Sequence, residues 1–395
     1  MTKNFKIFIS TGEISGDLQG GLLVAALFDQ AQQRGWELEI TGLGGQRMAT
    51  AGAKIIYDTR RISSIGFVEA LRYVAPTLKF QTLAKKYLQA NPPDLVIYID
   101  YIAANLTLGQ YIRKNLSVPT VYYIAPQEWI WSHSQKTTQK LIEISDQMIA
   151  IFPEEERYYK KHGANITWVG HPLVDRVKNA PKRDQARQQL GLKADELAIV
   201  LFPVSRYQEI KSLLPLFLRA VKIIQAQLPQ ARFWLSLSLA QYRDEIAATV
   251  AEFGLDIPIL EDPLLLMAAA DLTLAKSGTV NLEIALMNVP QVVVYRINPF
   301  GLWLYQTFLK FDLDYVSPPN LIAMEPVVPE LLQENATPEK IAATSLDILQ
   351  TPQTKAQMLA GYDRVKHLAG EPGAVHRAAQ SILNLLAQET ATVNR

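Results

Sequence analysis

Short apolar runs rich in Val, Ile, Leu and Phe recur along the chain, separated by longer stretches whose apolar residues return every three or four positions. The short runs read as strands and the longer 3.6-period segments as helices. In the first half the pattern predicts strands at Lys6–Ser10, Glu39–Gly42, Leu95–Asp100, Thr120–Ile124 and Met148–Phe152. A second series follows at Leu197–Phe202, Phe233–Leu237, Ile257–Leu260, Leu272–Ala275 and Val292–Tyr295. Gly12–Gly16 reads as a loop before the first helix, and Gly42, Gly44 and Gly45 as a tight turn after the second strand. This alternation in both halves predicts an α/β protein of two Rossmann-like domains, with parallel sheets facing an interdomain cleft. The polar stretch Asn179–Leu192, with Pro181, marks the linker. The expected division is 1–178, 190–350 and a helical tail, 351–395, packing back on the first domain or on a partner subunit.

Composition agrees with two cores. The 395 residues are 49% hydrophobic and 19% charged, too many for one domain at roughly 100 to 200 residues each and too apolar for a disordered chain. A net charge of +1 gives no broad field for nucleic acid. The absence of cysteine excludes disulfides, thiolate metal sites and a cysteine nucleophile, and agrees with a reducing, cytoplasmic setting. His133, His162, His171, His367 and His376 show no ligand spacing, so neither a metal nor another cofactor is expected. The longest apolar stretches fall far short of the ~20 residues that span a bilayer, so any membrane contact is expected to be peripheral, at the cytoplasmic face.

The strongest local unit is Asp271–Arg296: a strand, a Ser-Gly-Thr turn, a helix, a Pro-marked turn and another strand. Ser277, Gly278 and Thr279 stand where a helix begins, so unpaired N–H groups, two hydroxyls and the helix dipole converge on a place for an anion such as diphosphate. Glu283, one and a half turns on, suits a ribose diol; an ordinary N-cap with a solvated Glu accounts for the same spacing. Ser205, Arg206 and Glu209 follow another strand, where Arg206 would clamp phosphate or simply pair with Glu209. Asp100 ends the strand DLVIYID, where a carboxylate general base is wanted if a sugar hydroxyl is to attack an anomeric carbon. Glu13 shares that rim, and helix capping is the plainer role for either acid. Trp129 and Trp131 offer stacking surfaces or core packing. His171, in VGHP, is a ligand contact or a turn element. Phe300–Phe311 suits an acyl chain or interface, with a buried helix or dimer contact as the default.

The order GEISGD (Gly12–Asp17), GLGGQRMATAG (Gly42–Gly52), IGFVEAL (Ile65–Leu71), IDYIAAN (Ile99–Asn105), VGHPLVD (Val169–Asp175), SRYQEI (Ser205–Ile210), SGTVNLE (Ser277–Glu283) and SPPNLIA (Ser317–Ala323) resembles lipid-A-disaccharide synthase, from residue 6 to about 345. The resemblance implies the GT-B fold and an inverting, metal-independent transfer of 2,3-diacylglucosamine from UDP to the 6-hydroxyl of 2,3-diacylglucosamine 1-phosphate, giving a β-1,6-linked disaccharide. The partners implied are thus a UDP-activated acylated amino sugar, a lipid sugar-phosphate acceptor and membrane lipid, with a homodimer by likeness only. It implies Asp100 as base, and Glu13, Arg206, Glu283 and Asn320 lining the catalytic or UDP site. Asn105, Trp129, Trp131 and His171 stand as acceptor-side candidates.

The chain departs from the family pattern near ligands. It reads Ile102-Ala103-Ala104 where the family has Pro-Asp-Phe, Val204 where it has Gly, and Gln127 to Ser132 across the aromatic wall. Ser277–Glu283 and Asn320 are intact. Two other functions fit the same donor motif: a GT-B-fold UDP-sugar epimerase, which needs acid–base groups at the sugar C2, and a silent UDP-sugar-binding protein.

Overall fold

The computed structural model describes residues 3–59, 67–128, 135–204, 207–296 and 315–393; the side chains of 13–14, 67–77, 103, 208 and 389–393 also lie outside the description. The chain forms two compact units. One comprises Met1–Asp175 with Ala369–Arg395, the other Arg176–Leu368.

In the first unit seven strands form one parallel sheet: β1 (Lys3–Thr11), β2 (Trp36–Gly44), β3 (Lys54–Asp58), β4 (Leu95–Ile99), β5 (Thr120–Tyr123), β6 (Gln147–Ala150) and β7 (Ile166–Trp168). Their spatial order is β3-β2-β1-β4-β5-β6-β7. In the second, β8 (Leu197–Phe202), β9 (Ala231–Ser236), β10 (Ile259–Leu260), β11 (Leu272–Lys276), β12 (Gln291–Tyr295) and β13 (Glu330–Leu332) run β10-β9-β8-β11-β12-β13. Helices cover both faces of such sheets, so the central strands read as unbroken apolar runs. All five residues of β4 and of β11 are buried, each large aliphatic side chain contributing about 1.5–3 kcal/mol.

Strand order reverses between β1 and β4 in the first unit and between β8 and β11 in the second. The crevice outside the carboxyl ends of strands at such a switch point is where open α/β sheets bind ligands. Asp100 and the Gly12 loop follow β4 and β1; the Ser277 turn and the helix Tyr207–Ser212 follow β11 and β8.

Each of the ten expected strands is present, Leu197–Phe202 with the expected bounds and the others shifted at one or both ends. Three of the four edge strands, β3, β7 and β13, lack the apolar pattern because their residues are mostly half-buried or exposed. Gly42 lies inside β2 rather than in a turn: a Cβ there would stand 2.2 Å from the carbonyl oxygen of Ile9 on β1, so glycine allows the close strand approach. The polar stretch Asn179–Leu192 contains a helix, Arg183–Gln189. Its Arg183 and Arg187, four apart on one face, both grip Asp271 at 2.6 and 3.0 Å. The last helix, Ala374–Val393, packs against Glu13–Gln33, with Arg34 donating to Asn384 at 2.8 Å and Gln147 to Ser381 at 2.8 Å.

Candidate active site

Asp100 lies just past β4, exposed, and both it and Tyr101 have φ of 48°. Two successive non-glycine residues in the left-handed region are strained, and such strain persists only where the surroundings enforce it. Here the enforcement is visible. The Asp100 carbonyl accepts from Asn105 Nδ2 at 2.6 Å and from the Tyr122 hydroxyl at 2.7 Å, and its N–H donates to Ile124 O at 3.2 Å. Asn105 is fully buried; its amide also donates to Ile99 O at 3.2 Å and its Oδ1 accepts from Ser10 at 2.7 Å. Through these bonds Asn105 braces the Asp100 turn from beneath.

The Gly12 loop touches this turn. A Cβ on Gly12 would stand 2.5 Å from the ring of Tyr101, so only glycine lets the start of the Glu13–Gln33 helix come so near. Glu13 is the first residue of that helix; its side chain is outside the described set. Asp17 is buried and accepts from the N–H groups of Arg47 and Met48, both at 3.1 Å, capping the Gln46–Thr50 helix. Part of the GEISGD and GLGGQRM likeness is therefore scaffold: one motif holds the other.

His171 is buried, and desolvation pushes its imidazole down to about 3, keeping it neutral. Its Nδ1 accepts from Leu173 N at 3.1 Å, its own N–H donates to Ala369 O at 2.7 Å, and its ring lies 5.1 Å from Phe152. These contacts hold it in the turn before the helix Pro172–Val177. Glu155, which no sequence motif marks, is wholly buried; its Oε2 accepts from Ile151 N at 2.9 Å and Phe152 N at 3.3 Å, and burial raises its carboxyl to about 8. Trp129 and Trp131 lie outside the described residues.

In the second unit the Ser-Gly-Thr turn falls between β11 and the helix Val280–Leu286. Its orphan N–H groups are not all open. The Gly278 N–H donates to Asn281 Oδ1 at 2.7 Å, and Ser277 Oγ donates to Val316 O at 2.7 Å. Asn281 is fixed by Gln291 (3.0 Å), and Gln291 by the Tyr362 hydroxyl (3.1 Å), which donates to Val289 O at 3.0 Å. This buried network orients the turn and had no local sequence signature. Thr279 takes the N-cap position without a side-chain cap bond.

Glu283 is buried, not solvated, and its carboxylate pairs with Arg176. Asn320 is buried with both amide protons committed, to Val328 O at 2.9 Å and Glu330 at 2.8 Å, while Val328 N donates to its Oδ1 at 2.8 Å. Glu330 also accepts from the N–H groups of Val316 (2.9 Å) and Ser317 (2.8 Å) and from Ser317 Oγ (2.5 Å). The SPPNLIA likeness is thus a braced loop carried next to Ser277, and Glu330 is its hub.

Glu209 is buried and ion-paired with Lys276 at 3.2 Å. Ser205 and Arg206 lie outside the described residues, as do Phe300–Phe311. Among the described residues no group of three or more His, Asp or Glu is placed to hold a metal, and no helix is long and apolar enough to cross a membrane.

Two parallel Rossmann-like sheets, each with a strand-order switch point, define the GT-B fold class. The same fold is seen in the UDP-GlcNAc 2-epimerase of Neisseria meningitidis, bound to UDP-GlcNAc (TM-score 0.64, 11% identity, 96% of this chain and 100% of that one). It is seen again in Acinetobacter baumannii MurG (TM-score 0.56, 17% identity, 97% and 99%). At these identities the likeness concerns the fold alone. The family described as lipid-A-disaccharide synthetase matches residues 7–382. Lipid-A-disaccharide synthase of Gloeothece citriformis (strain PCC 7424) is 53% identical over 96% of this chain and 99% of its own length. The chain belongs to the lipid-A-disaccharide synthase family.

Proposed function

We propose that the protein transfers 2,3-diacylglucosamine from UDP to the 6-hydroxyl of 2,3-diacylglucosamine 1-phosphate with inversion, yielding UDP and the β-1,6-linked lipid A disaccharide. Family membership supports the reaction, and the observation that carries the site is the strained Asp100–Tyr101 turn at the β1/β4 switch point. The acceptor oxygen bonds to the anomeric carbon as its proton passes to the Asp100 carboxylate. The bond from that carbon to the diphosphate oxygen breaks, and its electron pair leaves with UDP. Ser277, Gly278 and Thr279, with Ser205 and Arg206, meet the diphosphate charge. Glu283 and Asn320 shape the UDP site, Asn320 through its hold on the 317–330 loop. Glu13 orients the acceptor, and Trp129 and Trp131 form its wall.

Peripheral contact with lipid is part of the same reading. Tyr57, Leu78, Thr82 and Leu83 line a groove together with Lys79 and Lys86, and Leu78 is 59% exposed. Apolar side chains flanked by lysines suit acyl chains and anionic headgroups. A homodimer rests on likeness alone, and sedimentation at several concentrations decides it.

The test is a mass-spectrometric assay with UDP-2,3-diacylglucosamine and 2,3-diacylglucosamine 1-phosphate, beside Asp100→Ala. Wild type should form the tetra-acyl disaccharide phosphate and the variant should be slower by ~10² or more. UDP binding without product from wild type would retain the donor site and reject the acceptor.

A further inference from the structure

Lys276 is the last residue of β11, immediately before the Ser-Gly-Thr turn. Its side chain is 10% exposed, and its partner's, Glu209, 9%. Lysine is seldom buried to this degree without a reason, because taking an ammonium out of water is costly unless it is paired. The pairing is explicit: Nζ donates to Glu209 Oε1 at 3.2 Å. Lys276 ends β11 and Glu209 lies in the helix Tyr207–Ser212 that follows β8, the strand hydrogen-bonded to β11 at the switch point.

The position of the ammonium gives the pair its meaning. Lys276 Cε and Nζ both lie 3.6 Å from where a Cβ on Gly278 would stand. The cation is therefore held against the turn itself, on the side that glycine leaves open. A carboxylate at Glu209 would repel a diphosphate if it faced one directly; through Lys276 it instead fixes the cation that attracts it. An ammonium carries three donors and is not confined to one acceptor, and in a site of low dielectric its charge acts more strongly than at a surface.

We infer that Lys276 is a further cation of the donor site, contacting the diphosphate of the UDP-sugar and stabilising the charge that develops on it as the sugar departs, with Glu209 as its positioning residue. This rests on the donor-site reading above. The bond that breaks leaves its electron pair on a phosphate oxygen, and a fixed positive charge there lowers the barrier more than it aids ground-state binding. Lysine can do this as a point charge, without the planar match an arginine requires.

The experiment compares UDP and uridine binding by calorimetry for the full-length wild type, Lys276→Met and Lys276→Arg, together with kcat and KM for transfer. Lys276→Met should weaken UDP by about tenfold or more, the scale of a charge-assisted contact, while uridine affinity stays unchanged. It should also flatten the dependence of UDP affinity on salt and lower kcat more than it raises KM for the donor. Lys276→Arg keeps a charge and should recover most of the preference for UDP over uridine. Equal loss of UDP and uridine in Lys276→Met, with Lys276→Arg no better, would show a purely structural ion pair and overturn the inference. Unchanged UDP binding and kcat in the variants would overturn it also. If Lys276→Met does not fold, a Lys276→Arg protein whose UDP-to-uridine ratio falls to that expected without a cation contact would overturn it alone. Failure of the wild type to bind UDP would instead remove the donor site, a result distinct from any change between variants.

Discussion

Asn105 Nδ2 donates to the carbonyl oxygen of Asp100 at 2.6 Å, from a side chain with no solvent exposure. The bond joins the helix after β4 to a residue held at φ 48°, so the orientation of the candidate base is set from beneath by a buried amide. Without that amide the strained turn has a path back to ordinary backbone conformations.

Asn105→Ala should accordingly lower kcat by about tenfold or more with little change in donor KM, because a small misplacement of a reacting group is costly. The same change leaves Ser10 Oγ without its acceptor and takes one donor each from the carbonyls of Ile99 and Asp100, at a cost of about 1–3 kcal/mol in stability. Steady-state kinetics and urea unfolding measure the two effects. A variant with wild-type kcat would show that Asp100 is not positioned this way.

Glu330 offers a comparable test in the second unit. Removing its carboxylate in Glu330→Ala strands the N–H groups of Val316 and Ser317 and leaves Asn320 with only its bonds to Val328. The loop beside Ser277 should lose order, raising donor KM while leaving the N-terminal unit intact. Hydrogen exchange should show faster exchange confined to 315–330; protection equal to wild type there would contradict the bracing role.

Two buried groups give opposing pH dependences. His171 is pushed down to about 3 in the folded chain against an ordinary 6.5, so the unfolded chain binds a proton the native state refuses, and stability falls as pH drops below about 6.5. Glu155 is raised to about 8 from 4.5, so its contribution is complete below about 4.5 and is lost as pH rises toward 8. Between about pH 5 and 6.5 each amounts to roughly 2 kcal/mol, and the two offset each other. His171→Gln should therefore become less stable with rising pH over that window, and Glu155→Gln more stable, as read by urea midpoints. Parallel slopes in both variants would refute the assignments.

The strands and their parallel arrangement were legible in the sequence because central strands buried on both faces carry unbroken apolar runs; Leu95–Ile99 and Leu197–Phe202 are plain cases. The strand-end positions of Asp100 and Ser277 followed from those runs. What stayed hidden were relations between distant residues. Nothing near Glu209 marks Lys276 as its partner, 67 residues on, and Gln291 and Tyr362 brace Asn281 across 10 and 81 positions of chain that carry no spacing signal. Glu283 and Asn320 were expected at ligand surfaces, but type and position alone do not distinguish a polar residue that faces a ligand from one that holds the loop behind it. Asn105 shows the same ambiguity. Its motif position suggested contact with the acceptor, and no sequence signal marked its hold on the Asp100 carbonyl.

The return of Ala374–Val393 to the Glu13–Gln33 helix also has a bearing on how the protein is made. During synthesis the strands of the first unit emerge ahead of the whole second unit, and only then comes the strip that covers their opening helix. Ile382, Leu383 and Leu386, all buried in the folded protein, reach that helix only after the second unit has been made. Until then the uncovered face is open to aggregation or proteolysis, so closure of the first unit waits on synthesis of the second.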